Sequence, residues 1–321
     1  MWIVLEENYR LLFVLTDLIL PLIVGYYLHK SHIITDKINY LLIKFNILGI
    51  CTFSALFSFW ALPLNMDSLI LLPFGSLFVI VPGIVGYLTF AKRYKNMLSQ
   101  GAYIMSVMLS NVGTLGGVCC FILYSDVGFA YSQIIASCQN FLLVVLCFPL
   151  AQYYYNKHIS AFSSEFHSSS ILKKFLSWNQ ISVVGIVLGL YLNAAGMQRT
   201  ETLTDIFHFL VHFGAWIALI PVGYLINFSK IRYYYFKVFD IVLVRFLIVP
   251  LAIYMTALLF FSDKVLLNSL LICAMAPTAI NAVLTAKLYH LNVNLPVASF
   301  VSTTALFLLV IFPVMFFVIR A

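Results

Sequence analysis

Two asparagines stand deep in apolar sequence, each beside residues that interrupt helices. Asn111 belongs to "SNVGTLGG" (Ser110–Gly117), and Asn281 closes "MAPTAIN" (Met275–Asn281). An asparagine amide donates and accepts hydrogen bonds without placing a permanent charge in hydrocarbon, which favours release of a ligand as well as binding. Pro277 has no N–H and its ring clashes with the preceding turn. It suits the first turn of a new half-helix whose early N–H groups are free. Gly113, Gly116 and Gly117 lower the penalty for a break and admit a neighbouring backbone closely. Asn111 is placed to cap a half-helix beginning near Gly113. Ser110, Thr114 and Thr278 add hydroxyls to the same stretches. Half-helix N-termini carry partial positive charge, so two of them meeting would suit a carboxylate or similar anion. The competing reading is a pair of plain kinks, since Gly and Pro are common in membrane helices and often mark only packing.

Other polar side chains lie within apolar sequence, where ionisable groups are functional candidates by default. Asp17 either binds a coupling cation or proton, or partners an inward-facing Lys or Arg. Arg245 either attracts substrate, or snorkels or pairs with Asp240, whereas Lys44 lies near enough to a span end to snorkel. Gln133, Gln139 and Asn140 either line a site beside Asn111 or bond between helices. His208 and His212 stand four apart on one helical face, a spacing that metal ligands use. No H-E-x-x-H pattern or third ligand accompanies them, so a packed or interfacial pair is expected and no metal. Six cysteines (Cys51, Cys119, Cys120, Cys138, Cys147 and Cys273) have neither disulfide nor zinc spacing and read as small buried hydrophobes.

Membrane spans must position these residues. The chain is 63% apolar and 9% charged, with runs of about 20 apolar residues, the length that crosses a bilayer core. Ten spans are expected near 8–29, 36–60, 67–90, 101–124, 127–155, 179–196, 203–228, 237–262, 265–288 and 293–319. The first ten residues lack a basic start and no small-residue cleavage pattern follows, which predicts a retained first helix. With the N-terminus outside, the cytoplasmic loops hold twelve Lys and Arg and the outer side four, placing both termini outside. The scattered basic residues form no single patch, so the +7 formal charge does not point to nucleic acid.

The halves of the chain match. "FVIVP" (Phe78–Pro82) corresponds to "FLIVP" (Phe246–Pro250), a step of 250 − 82 = 168. "GYYL" (Gly25–Leu28) corresponds to "GLYL" (Gly189–Leu192), and Phe148-Pro149 to Phe312-Pro313, both at 189 − 25 = 313 − 149 = 164. The same step carries Asn111 into "MAPTAIN". Five spans duplicated must insert in opposite orientations, giving an inverted repeat of the kind found in secondary transporters. The expected organisation is a first five-helix repeat at 1–156, a cytoplasmic link at 157–178 and a second repeat at 179–321. Asn111 and Pro277 each lie about ten residues, roughly 15 Å, from a span end, hence near the midplane.

"SNVGTLGG" resembles the N-x-G-x-x-G signature of the fourth span in the auxin efflux carrier family of membrane permeases. "APTAINAVLTAKLY" resembles that family's P-x-x-x-N ninth span, and "LPLIVGYYLHK" (Leu20–Lys30) its first. The resemblance covers essentially the whole chain. It implies an all-α polytopic membrane protein of two inverted five-helix repeats, the architecture shared with bile acid/sodium symporters. Discontinuous helices 4 and 9 would cross at the substrate site and move with a transport domain against a scaffold. Family members export auxin in plants, and bacterial relatives are associated with malonate, malate and related organic acids. Carried over by position, Asn111, Gly113, Gly116, Pro277 and Asn281 would form the site. The link is short, unlike the long hydrophilic loop of many plant carriers, which makes auxin a poor choice of substrate.

The expected function is therefore secondary transport of small mono- or dicarboxylates across the plasma membrane, a bacterial inner membrane, by alternating access. A sodium- or proton-coupled carrier of another solute stands as the alternative, followed by a channel or receptor. An enzyme is not expected, since no nucleophile–base pair or metal cluster shares one depth. No cofactor is expected, and the coupling ion (H+ or Na+) is open. The expected partners are the anion and the lipid bilayer, with a homodimer left open.

Overall fold

The computed structural model describes residues 14–62, 66–160, 181–225 and 238–320. They are helical almost throughout, with no β-strand among them. A π-helical turn at Val14–Ile19 leads into α1 (Leu20–Lys30). α2 (Asp36–Trp60) follows, its first turn capped by the Thr35 hydroxyl, which accepts from the Ile38 N–H. The third expected span is two pieces, α3 (Met66–Gly75) and α4 (Leu77–Thr89). α5 (Met97–Met108) starts on an Asn96 cap. The 48-residue run Val112–Ile159 turns at Ser125, whose φ of 52° ends one helix and starts another. It divides into α6 (112–124) and α7 (126–160). The second half holds α8 (Ile181–Ala194), α9 (Glu201–Leu225), α10 (Phe239–Ala257), α11 (Lys264–Ala274), α12 (Ile280–Leu288) and α13 (Asn294–Val318). Asp263 caps α11 by accepting from the N–H groups of Val265 and Leu266.

Six helical runs are long and apolar enough to cross a membrane. Large apolar side chains such as Tyr191, Leu259 and Phe317 face outward, as they would toward lipid rather than water. These features describe a membrane-embedded protein. The segment before Val14, the link 161–180 and the basic connection 226–237 lie outside the described residues. Much of the charge asymmetry expected of the loops falls there.

The helices pack as two bundles. α1, α2, α8 and α9 form the smaller, in which α1 lies along α9 and α2 along α8. α3 to α7 and α10 to α13 form the larger, and the two meet where α2 and α9 face α6 and α7. In the smaller bundle, glycine allows backbones to touch. A Cβ on Gly25 of α1 would collide with the Ile220 carbonyl of α9, and one on Gly189 of α8 with the Leu56 carbonyl of α2. Both members of this contact recur at the same step, 189 − 25 = 220 − 56 = 164. The same step separates two π-helical turns, Leu143–Cys147 and Phe307–Ile311, each running directly into Phe-Pro.

Candidate functional site

Two helical paths through the larger bundle are interrupted, and the interruptions touch. α5 stops at Met108 and helix resumes at Val112, while α11 stops at Ala274 and α12 begins at Ile280. Between them Ser110 and Thr278 pair as a single antiparallel bridge. The Asn111 N–H donates to the Pro277 carbonyl at 2.7 Å, and the Ala279 N–H to the Leu109 carbonyl at 2.8 Å. In hydrocarbon a broken backbone must find partners inside the protein. Here each break supplies them to the other.

Side chains from two further helices complete the pairing. Gln139 of α7 accepts from both the N–H and the hydroxyl of Ser110 at 3.0 Å, and its amide donates to the Ser110 carbonyl at 2.7 Å. On the opposite strand the Thr278 N–H donates to the Thr303 hydroxyl of α13 at 3.0 Å. Gln139 and Thr303 thus serve the two breaks alike, and they stand 303 − 139 = 164 residues apart. Gln133 of α7 donates to the Gly113 carbonyl at 2.7 Å.

Beside the crossing lies a cavity of about 100 Å³. It is partly open rather than sealed and offers room for a small molecule. The larger bundle lines it with Ser110, Asn111, Gly113, Thr114, Asn140 and Asn281 among others, and with the flanks of Gln133 and Gln139. The smaller bundle contributes Ile43, Asn46, Cys51, Ala218 and Pro221. Among the described lining residues none is Asp, Glu, Lys or Arg. The Thr114 hydroxyl donates to Asn111 Oδ1, and both residues line the cavity. Asn281 Oδ1 is buried without a hydrogen-bond partner. Among the described residues no side chain caps either resuming helix. The Ala282 N–H bonds the Ala279 carbonyl and the Gly116 N–H the Asn111 carbonyl, while the N–H groups before them precede the helical hydrogen-bond ladder.

The expected site residues therefore separate into those that line the cavity and those behind it. Ser110, Asn111, Gly113, Thr114, Gln139, Asn140 and Asn281 line it, whereas Gly116, Pro277 and Thr278 do not. Thr278 is fully buried and spends its hydroxyl on the Ser106 carbonyl. Pro277 stands three residues before Ile280, in the extended link rather than the first helical turn, because its carbonyl pairs with Asn111. Asn111 precedes the resuming helix but its side chain does not cap it, being held by Thr114 instead. Gly113 and Gly117 press against α7, and a Cβ on either would stand about 3 Å from Ala136 or Gln133. A Cβ on Gly116 would meet only ordinary contacts, so close packing does not require glycine there.

Asp17 and Arg245 lie away from the cavity. Arg245 is 1% exposed and donates to the Val107 carbonyl at 2.6 Å, where α5 ends. A cation there is favoured by the negative end of the helix dipole. Asp240 pairs with Arg93 at 2.8 Å, so the alternative in which Arg245 pairs with Asp240 is not the arrangement found. Asp17 is buried and paired with His212, and the Thr16 hydroxyl donates to it at 3.3 Å. His208 contacts Asp126 at 3.0 Å, and Arg199 pairs with the same carboxylate. Each histidine thus has its own carboxylate, and the Phe121 ring lies between them, 5.3 Å and 5.6 Å from their centroids.

Sequence reasoning missed Asn46. It sits in mid-span, as Asn111 does, but no Gly or Pro beside it marked a break. The mid-span amide itself was the signal available. Compared with models of known protein families and with curated proteins, the chain matches none.

Proposed function

We propose that the protein is a secondary transporter of small organic anions, mono- or dicarboxylates such as malate or malonate, working by alternating access. The observation that carries this reading is the reciprocal pairing of two broken helices beside a cavity of neutral amides. The first N–H groups of the resuming helices, at Val112–Thr114 and Ile280–Asn281, with the amides of Asn111 and Asn281, would receive a carboxylate. The smaller bundle would act as scaffold and the larger as the moving transport domain.

Four pairs of features at the 164-residue step support two inverted five-helix repeats, with α5–α6 and α11–α12 as discontinuous helices 4 and 9. They are the glycine contacts, the π-helical turns, the Phe-Pro pairs and the helpers Gln139 and Thr303. The resemblance to auxin efflux carriers and the loop charges favour a plasma-membrane protein, in a bacterial inner membrane, with both termini outside. Asp17 beside His212 supplies a protonatable pair for coupling.

The test is a solid-supported-membrane and thermal-shift screen of mono- and dicarboxylates on the wild type, Asn111→Ala and Asn281→Ala. Hydrogen bonds to a charged group contribute about 1.5–3 kcal/mol each, so each variant should weaken binding about tenfold or more. Equal binding by all three proteins would remove the crossing from the reading. Saturable counterflow in proteoliposomes would separate a carrier from a channel.

A further inference from the structure

The two walls of the cavity are chemically unequal. The larger bundle presents several amides and hydroxyls, while the smaller presents Ile43, Ala218, Pro221, the Cys51 thiol and a single amide, Asn46. Asn46 opens the π-helical turn Asn46–Ile50 of α2, and such turns occur often at functional sites. It is 4% exposed, and its side chain finds no hydrogen-bond partner among the described residues. Its Oδ1 lies 3.7 Å from where a Cβ on Gly214 of α9 would stand, an ordinary contact, so α9 faces the amide without crowding it. Burying an amide without a partner is unfavourable. An isosteric leucine would avoid that cost, so the position gains nothing from an amide by packing alone.

We propose that Asn46 determines specificity by binding a second polar group of the ligand, opposite the carboxylate held at the crossing. This inference rests on the carboxylate reading of the cavity. The ligand class it names is a small acid bearing a hydroxyl, carbonyl or second carboxyl, preferred over the plain hydrocarbon acid of the same length. The amide serves each of these, because its NH2 donates to a carbonyl or carboxylate and its oxygen accepts from a hydroxyl. Asn46 belongs to the smaller bundle and Asn111 and Asn281 to the larger. A ligand touching all three joins the bundles, and it stabilises the arrangement in which the walls face each other.

The experiment measures Kd for two matched pairs, lactate against propionate and malonate against propionate, on the full chain in detergent. Wild type and Asn46→Leu are compared. Wild type should prefer lactate and malonate about tenfold, the effect of about one hydrogen bond to a polar or charged group. Asn46→Leu should reduce both preferences to within about twofold. A preference unchanged in Asn46→Leu overturns the proposal, because a merely structural amide would weaken all acids by one common factor. Should the leucine variant fail to fold, the wild type still decides, since equal affinity for all three acids overturns the role of Asn46. If none of the acids binds wild type, the carboxylate reading itself falls. Binding of propionate without preference overturns Asn46 alone.

Discussion

At the crossing, the polar side chains of Asn111, Thr114, Asn281, Gln133 and Gln139 are neutral and satisfy one another or face a cavity. Near the start of α7 and along α9, the polar side chains are ionisable and paired: Asp126 with Arg199 and His208, and Asp17 with His212. The regions also differ in what they join. The contacts at the crossing lie within the larger bundle, so a rigid shift of that bundle leaves them intact. Asp126 stands on the larger bundle, whereas His208 stands on α9 and Arg199 bonds the Phe57 carbonyl of α2, both in the smaller. Any relative movement there must separate opposite charges. Neutral hydrogen bonds hold the shape of the crossing; the Asp126 contacts join the two bundles, while Asp17 and His212 both belong to the smaller.

Four substitutions probe that contrast, taken from the largest expected effect to the smallest. Gln139→Leu strips Ser110 of three hydrogen bonds, each unpaired buried group costing about 1–3 kcal/mol. Thermal unfolding should show a loss of about 3 kcal/mol or more. A loss under about 1 kcal/mol would show that the crossing holds without its helper. Thr303→Val removes one acceptor from the Thr278 N–H and should cost about 1–2 kcal/mol in the same assay. Its effect should be smaller than that of Gln139→Leu, and the reverse order would contradict the account of the two helpers.

Asp126→Asn tests the boundary instead. Removing about 1 kcal/mol from one arrangement raises the other's population about fivefold. Labelling of Cys51, which lines the cavity, by an impermeant maleimide should rise by that order in a chain whose other cysteines are alanine. Unchanged labelling would mean that the Asp126 contacts do not hold the bundles together. Asp240→Asn breaks the pair with Arg93, whose side chain is 65% exposed. Screened by solvent, it should shift unfolding by about 0.5 kcal/mol or less. A larger shift would erase the distinction between boundary and peripheral charges.

The sequence made the crossing legible because its grammar is local. Gly113 and Pro277 weaken a helix inside an apolar run, and non-helical residues stand at 109–111 and 275–279, whereas Pro82 and Pro221 lie within helices. What each residue does there depended on contacts across the fold. Pro277 and Thr278 looked like ligand residues, but a bridge to residues 109–111 turns them inward. The target of Arg245, a carbonyl on another helix, left no trace in its own neighbourhood. Gln139 read equally well as a ligand or an interhelical bond, and it both lines the cavity and bonds Ser110. Span lengths were less legible at the breaks. α11 and α12 have 11 and 9 residues, each too short to cross a bilayer alone. Asn46 escaped notice because an amide in an unbroken span resembles packing until the opposite wall is in place.

The bridge between Ser110 and Thr278 also constrains how the protein comes into being. Its partners are separated by 278 − 110 = 168 residues, so during synthesis the first break enters the membrane long before the second exists. Until then the Leu109 carbonyl and Asn111 N–H must borrow partners from water, lipid headgroups or an insertion factor. A chain stopped before Met275 would hold a first half whose break has no partner for the Leu109 carbonyl and the Asn111 N–H. The crossing is thus a late product of synthesis, completed only when the second half of the chain is present.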